Sequence, residues 1–327
     1  MKKLRVLQNV YHRRTVPGFS LKNLGTVLLV LFFLPYIIAS FSGKVLGDDT
    51  AVSTATESEL VTGSMVVRNQ TLLGTEDIPL ELYVADKLAR TMGQAYEKEA
   101  LKAQAILIRT NLCRSWDKII SVNDLQYGKS NVTKKHYEAV AETKGMIMKY
   151  ENKPIYAAYF KSSNGVTRDA KELFEGDQYP YLKSVPCGKD YLAENYHSVV
   201  TYGEDRFERL WQLISKVPEE RISGEQKEKT VWENQMGTVL DNAGYVMYFC
   251  YKNEWAKGEE VRYMYDLPSA SFTVKKEKNK VIFDVKGQGH GVGMSLHSAN
   301  EMAKEGEDFF QILKYFFADV TFAKVEA

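Results

Sequence analysis

Four glycines alternate over seven residues in the run Gly287-Gln288-Gly289-His290-Gly291-Val292-Gly293, with an imidazole at the centre. Glycine accepts positive φ and lets a backbone come close to a ligand or to another chain segment. Set before a helix, the N–H groups of such a turn can hold an anion or sugar oxygens. The same run serves equally well as a tight strand-to-helix turn around a hydrogen-bonded core histidine. The spacing fails G-x-G-x-x-G, and no phosphate-binding loop of the G-x-x-x-x-G-K-[ST] type exists, so a nucleotide site has no support. His290 and His297 are not part of an H-E-x-x-H run, which argues against a zinc protease, and no G-x-S-x-G anchors a serine hydrolase. The block Ser162-Ser163-Asn164-Gly165-Val166-Thr167 is a polar turn that can meet sugar hydroxyls or simply reverse the chain.

Composition narrows the partners. The formal net charge is +1, and no basic run occurs outside the N-terminus, so nothing points to nucleic acid. The 20 tyrosines suit stacking on sugar rings as well as ordinary core and interface packing. Cys113, Cys187 and Cys250 are three and far apart, with no C-x-x-C pair. Reduced, buried thiols are expected, with no metal site and no cofactor.

These residues must be held by an α+β fold of mixed, mostly antiparallel sheets with packed helices. A strand is expected around Met65–Arg68. A helix covers Glu81–Arg90, with Leu80, Val84 and Leu88 on one stripe and Gly93 at its end. In the next helix Leu101, Ala105, Ile108 and Leu112 recur at helical spacing, and Ala100, Ala103 and Ala105 allow close packing. Further helices are expected at His136–Thr143, Phe207–Ile214, from about Ser295, and at Phe309–Phe316. Strands are expected at Met146–Tyr150, Ile155–Phe160, around Val239, and at Tyr245–Tyr251, Phe272–Lys275 and Lys280–Val285. Residues 161–192 read as loop.

The N-terminal part reads differently. Residues 1–22 carry Lys2, Lys3, Arg5, Arg13, Arg14 and Lys22 without an acid, and no charge occurs from Asn23 to Gly43. About 20 apolar residues span a bilayer as a helix. The expected organisation is a cytoplasmic stub at 1–22, a single transmembrane helix at 23–43, a linker at 44–62 and one extracytoplasmic domain at 63–325. The apolar run is too long, and Ile38-Ala39-Ser40-Phe41-Ser42 too poor a cleavage site, for a typical signal peptide.

Three blocks in order resemble the stage II sporulation protein D family, which includes the amidase-enhancer domains. The first is Leu80-Glu81-Leu82-Tyr83-Val84, then Glu99-Ala100-Leu101-Lys102-Ala103-Gln104-Ala105 and Arg109-Thr110. The second is Thr143-Lys144-Gly145, Tyr159-Phe160, Ser162–Thr167 and Pro180–Val185. The third is Gly289-His290-Gly291-Val292-Gly293-Met294-Ser295, followed by Ala303, Gly306 and Ile312-Leu313. The resemblance implies work on peptidoglycan by a membrane-anchored protein. Its sporulation members are lytic transglycosylases, which cleave glycan strands after an amidase has removed the stem peptides. One carboxylic acid protonates the leaving glycosidic oxygen and then takes a proton back as the sugar's own hydroxyl attacks.

The chain departs from that pattern where the acid belongs. A gapless count puts Thr91 on the family's catalytic Glu, and a threonine hydroxyl cannot act as a general acid near neutral pH. Leu296 replaces the Gln that usually follows the third block, and Pro268 replaces the Arg of the family's L-G-L-R-S run. Segment 115–135, where some clostridial relatives bind zinc, has neither Cys nor His. The reading is therefore a protein that binds glycan strands and supports a wall amidase. The resemblance assigns Lys102, Gln104, Arg109, Ser163, Asn164, His290 and Ser295 to glycan binding, with Thr91 at the vacated catalytic position. Two alternatives stand beside it. One is an active lytic transglycosylase with Glu97 or Glu99 as a displaced acid; the other is a structural envelope protein without glycan affinity.

Overall fold

Strand β1 (Val66–Thr71) pairs with β2 (Gly74–Pro79), and Pro79 leads straight into helix α1 (Leu80–Thr91). The computed structural model describes residues 60–61, 65–72, 74–114, 120–174 and 176–325. The expected stub, membrane helix and almost all of the linker lie outside the described residues. Among the described residues no helix is long and apolar enough to cross a membrane.

Helix α2 (Lys98–Arg114) is the hub of a first core. Its alanines keep the surface low, so α1, the later α3 (Lys134–Glu142) and strand β4 (Met146–Tyr150) all pack directly on it. Strand β3 (Ile120–Val122) runs parallel to β1, and β5 (Lys153–Pro154) and β6 (Tyr159–Phe160) follow β4. A four-residue helix α4 (Ala170–Leu173) then interrupts the segment read as loop.

From residue 197 the chain builds a second core. Strand β7 (His197–Gly203) and helices α5 (Glu204–Leu213) and α6 (Gly224–Glu228) precede strands β8 (Val231–Glu233), β9 (Met236–Leu240), β10 (Val246–Tyr251) and β11 (Glu254–Lys257). Helix α7 (Gly258–Met264) and the hairpin β12 (Phe272–Glu277) and β13 (Lys280–Lys286) complete it. Its sheets are antiparallel, in orders β11-β10-β9-β8 and β12-β13-β7, around Phe207, Trp211, Phe249, Tyr265 and Phe283.

The glycine-rich turn carries the chain back to the first core through β14 (Met294–Ser295), α8 (Leu296–Lys304), α9 (Phe309–Phe316) and β15 (Thr321–Lys324). Strand β14 pairs in parallel with β6, and β15 pairs with β4. The second core is thus an excursion from the first, entered after residue 196 and left through the glycines.

The expected α+β class with mostly antiparallel sheets is observed, the parallel pairs being β1 with β3 and β14 with β6. The helix expected at Phe309–Phe316 has those same bounds. Two expectations are corrected. The single strand expected at Ile155–Phe160 is reduced to β6 at Tyr159–Phe160, because the residues before it pair main chain to side chain: Tyr156 N–H donates to the Tyr181 hydroxyl and Ala157 N–H to Asn111 Oδ1. The segment 161–192, read as loop, is largely irregular but contains α4 and a 3-10 turn at Asp190–Leu192, and bridges Ser162 to Gln288, Val166 to Pro186 and Arg168 to Val292 fix its first part. Cys113, Cys187 and Cys250 are free thiols, all buried.

Candidate functional site

Two loops and the ends of both cores meet at the glycine-rich turn. Gly287, Gly289, Gly291 and Gly293 all have positive φ. A Cβ on Gly291 would lie 2.7 Å from the ring of Tyr245, and one on Gly293 would lie 2.2 Å from the Ala158 carbonyl oxygen. The glycines therefore serve close approach to protein on both sides, Tyr245 from the second core and Ala158 from the first. The polar turn at 162–167 lies against them: Ser162 and Gln288 exchange backbone hydrogen bonds of 3.1 and 2.7 Å.

Beneath this junction sits Asp190, which is fully buried. Its Oδ2 accepts from Ser163 N–H at 2.6 Å, and its Oδ1 accepts from the Ser295 and Ser298 hydroxyls at 2.9 and 2.7 Å. Ser295 also caps α8 by accepting from Ser298 N–H. Ser163 and Ser295 are thus brought together, but by a buried carboxylate that uses their polar atoms. Asn164 is similarly occupied across the junction: Nδ2 donates to Ala243 O and Ser271 Oγ, and its N–H donates to the Tyr245 hydroxyl.

Arg168, the residue after the polar block, ties the same turn to the second core. Its N–H donates to Gly291 O at 2.7 Å, Nε donates to Asp241 Oδ2 at 2.6 Å, and Nη1 donates to Glu259 Oε1 at 2.7 Å. Its guanidinium stands over the Tyr245 ring at 5.0 Å. Glu259 Oε2 accepts from Arg262 at 3.0 Å, so both of its oxygens are matched.

A cleft of about 860 Å³ opens beside this network. Its walls come from Tyr156, the 168–174 stretch, the start of β10, α7, and His290 with Val292. His290 accepts from Val292 N–H at Nδ1, which leaves the ring proton on Nε2. Burial, with Arg262 and Arg168 nearby, pushes its pKa down to about 4, so it stays neutral near neutral pH. Glu172 is the opposite case. Its Oε1 accepts from Asn242 N–H at 3.1 Å and from Asn242 Nδ2, while Oε2 is buried without a partner. Burial raises its pKa; the bond from Asn242 opposes this, and Asp241 and Asp169 add to it.

Of the residues assigned from the sequence, His290 is the one that lines this cleft. Arg109 was expected on a cleft wall but is fully buried, with Nε and Nη2 on Glu81 and Nη1 on Met146 O. Glu81 also accepts from Gly145 N–H, so the pair joins α1, α2 and the start of β4. Lys102 bridges Glu99 and Glu142 at 2.6 and 2.7 Å and covers the Phe309 ring. Glu99 accepts with its other oxygen from Phe309 N–H at the start of α9, where a negative charge suits the helix dipole. Glu97 meets Asn300 through its backbone N–H. Gln104 is fully buried and faces the Tyr159 phenol, yet neither amide atom reaches hydrogen-bond geometry.

Thr91 ends α1. Its hydroxyl donates back to Lys87 O and Leu88 O at 3.2 and 3.0 Å. The neighbouring Arg90 is fixed by Asp124 and Asp86, and Met92 O is bonded to His136 Nε2, so this helix end is held on both sides of Thr91.

The sequence reading missed Arg168, Glu172, Asp190, Asp241 and Glu259. Arg168 adjoined a singled-out block; the others are isolated acids in loops or short helices, without a spacing signal.

A family model described as stage II sporulation protein matches residues 68–150. Stage II sporulation protein D of Bacillus subtilis is 32% identical over 278 residues, covering 77% of this chain and 76% of the relative. The protein of that name from Bacillus amyloliquefaciens is also 32% identical, over 276 residues, with 77% and 76% covered. An amidase enhancer of Bacillus subtilis is 25% identical over 273 residues, 70% of this chain and 39% of that protein.

Proposed function

Since the chain belongs to the stage II sporulation protein D family, we propose that it is a cell-wall protein of sporulation that binds peptidoglycan glycan strands and supports a wall amidase, with little or no strand cleavage of its own. The amidase link rests on the amidase-enhancer relative. The charge-free run at 23–43 holds the domain at the membrane on its outer side.

One observation carries the reading of weak cleavage: at the position of the family's acid, the Thr91 hydroxyl donates to carbonyls of its own helix. Losing a general acid costs about 10²–10⁴ in rate. Glu99, the nearby carboxylate, gives one oxygen to Lys102 and the other to the start of α9, which argues against its acting as a displaced acid.

The test incubates the purified chain and its Thr91→Glu variant with glycan strands lacking stem peptides, and mass spectrometry counts 1,6-anhydro ends. Ends from Thr91→Glu alone support a binding relative that lacks the acid. Ends from the unaltered chain refute that assignment and favour the transglycosylase reading. Retention on purified sacculi separates both from a structural envelope protein, which would wash through.

A further inference from the structure

The large cleft is lined by more cations than acids. Asp241 and Glu259 are matched by Arg168 and Arg262. Lys171 and Lys257 also line the cleft, are exposed, and have no ion-pair partner among the described residues. Tyr248 and Tyr263 present rings in the same walls, and Tyr263 is 82% exposed, far more than a packing role needs. Aromatic faces beside surplus cations suit a sugar ring with an acidic substituent, whose C–H face stacks while its anion meets the ammonium groups.

We propose that this cleft binds a carboxylate-bearing pyranose segment of the wall glycan, with Tyr248 and Tyr263 taking the ring and Lys171 and Lys257 taking the carboxylate. The inference rests on the glycan-binding reading and adds where and by what charge the strand is held. No residue of α1 or α2 lines the cleft, so this subsite is distinct from the Thr91 position.

Glu172 gives the subsite a pH dependence. As a neutral carboxyl it leaves the surplus of the lysines intact; ionised, it cancels one cation. Its raised pKa keeps it neutral to higher pH than an ordinary carboxyl, so affinity is full at low pH and falls as pH rises through that pKa. The charged groups acting on it are Asp169 and Asp241, which favour the neutral form, and Arg168, which opposes it. His290 is already neutral above about pH 5 and does not contribute there. The ligand's carboxylate, with a pKa of about 4, stays ionised throughout.

The experiment uses the full chain in detergent and measures Kd by calorimetry from pH 5 to 8. The probes are a peptide-free tetrasaccharide of alternating N-acetylglucosamine and N-acetylmuramic acid, and chitotetraose as its neutral counterpart. The acidic probe should bind more tightly than the neutral one, most so at the low end of that range. In Lys171→Ala/Lys257→Ala that preference should shrink on the order of tenfold, each exposed pair being worth up to about fivefold. Glu172→Gln should keep the preference at every pH, because the amide oxygen still accepts from Asn242, whereas in the native chain the preference shrinks as pH rises. Equal affinity for both probes, an unchanged preference in the lysine variant, or a native-like pH profile in Glu172→Gln overturns the proposal. If sacculi retain the native chain and the lysine variant alike, this subsite fails while the glycan reading stands; if sacculi do not retain the native chain, the glycan reading itself fails.

Discussion

Asp190 is the group on which the junction most depends, and Asp190→Ala tests it. The substitution leaves the buried Ser163 N–H without an acceptor, a loss of about 1–3 kcal/mol. It also removes a charged acceptor from the Ser295 and Ser298 hydroxyls. Ser295 can turn toward Lys161 O, 3.4 Å away, so that part of the loss is partly recovered. Adding about 1 kcal/mol for each hydroxyl gives a total of about 3–5 kcal/mol. In a domain of this size each kcal/mol moves Tm by about 2–4 °C, so a fall of about 10 °C is expected in thermal unfolding followed by circular dichroism. Asp190→Asn should lose about half as much, since its carbonyl can still accept from Ser163 while its amide donates to the serine oxygens. A Tm for Asp190→Ala within about 2 °C of native would refute the assignment of this carboxylate as the clamp between the polar turn and α8.

Other perturbations follow from the same geometry. Arg109→Ala strands the Glu81 carboxylate in the core and should cost about 3–5 kcal/mol in urea unfolding, with Glu81→Gln/Arg109→Met recovering much of it. Gly293→Ala, at φ +81° and with its Cβ 2.2 Å from Ala158 O, should lose about 2–4 kcal/mol by the same assay, whereas Gly188→Ala, with nothing within 4 Å, should be close to neutral. Burial pushes the thiols of Cys113, Cys187 and Cys250 up to about 11, 12 and 11. At pH 8 iodoacetamide should label none of them in the folded chain and all three in guanidinium, read by mass spectrometry.

Local pattern was enough for much of the fold. Apolar stripes at helical spacing placed α1 and α2, because each buries one face against a neighbour and the chain must repeat that face every turn. Alternating glycines marked the turn at 287–293, because only glycine tolerates positive φ with protein packed on both sides. The blocks around Glu99–Ala105 and Gly289–Ser295 were enough to recognise the family.

Charge pairing was not legible in this way. Glu81 meets Arg109 across 28 positions, Asp190 meets Ser295 across 105, and Arg168 meets Glu259 across 91. No spacing rule links such residues, since their proximity exists only after separate elements have packed together and, for Asp190 with Ser295, after the chain has returned through the glycines. The same polar side chains could have faced a ligand or each other, and the burial of a charge without its partner is costly enough that the tertiary structure chose partners for Arg109, Ser163 and Ser295. Lys171 and Lys257, without ion-pair partners among the described residues, and one unmatched oxygen of Glu172 lie in a cleft of which the sequence had marked only the His290 side.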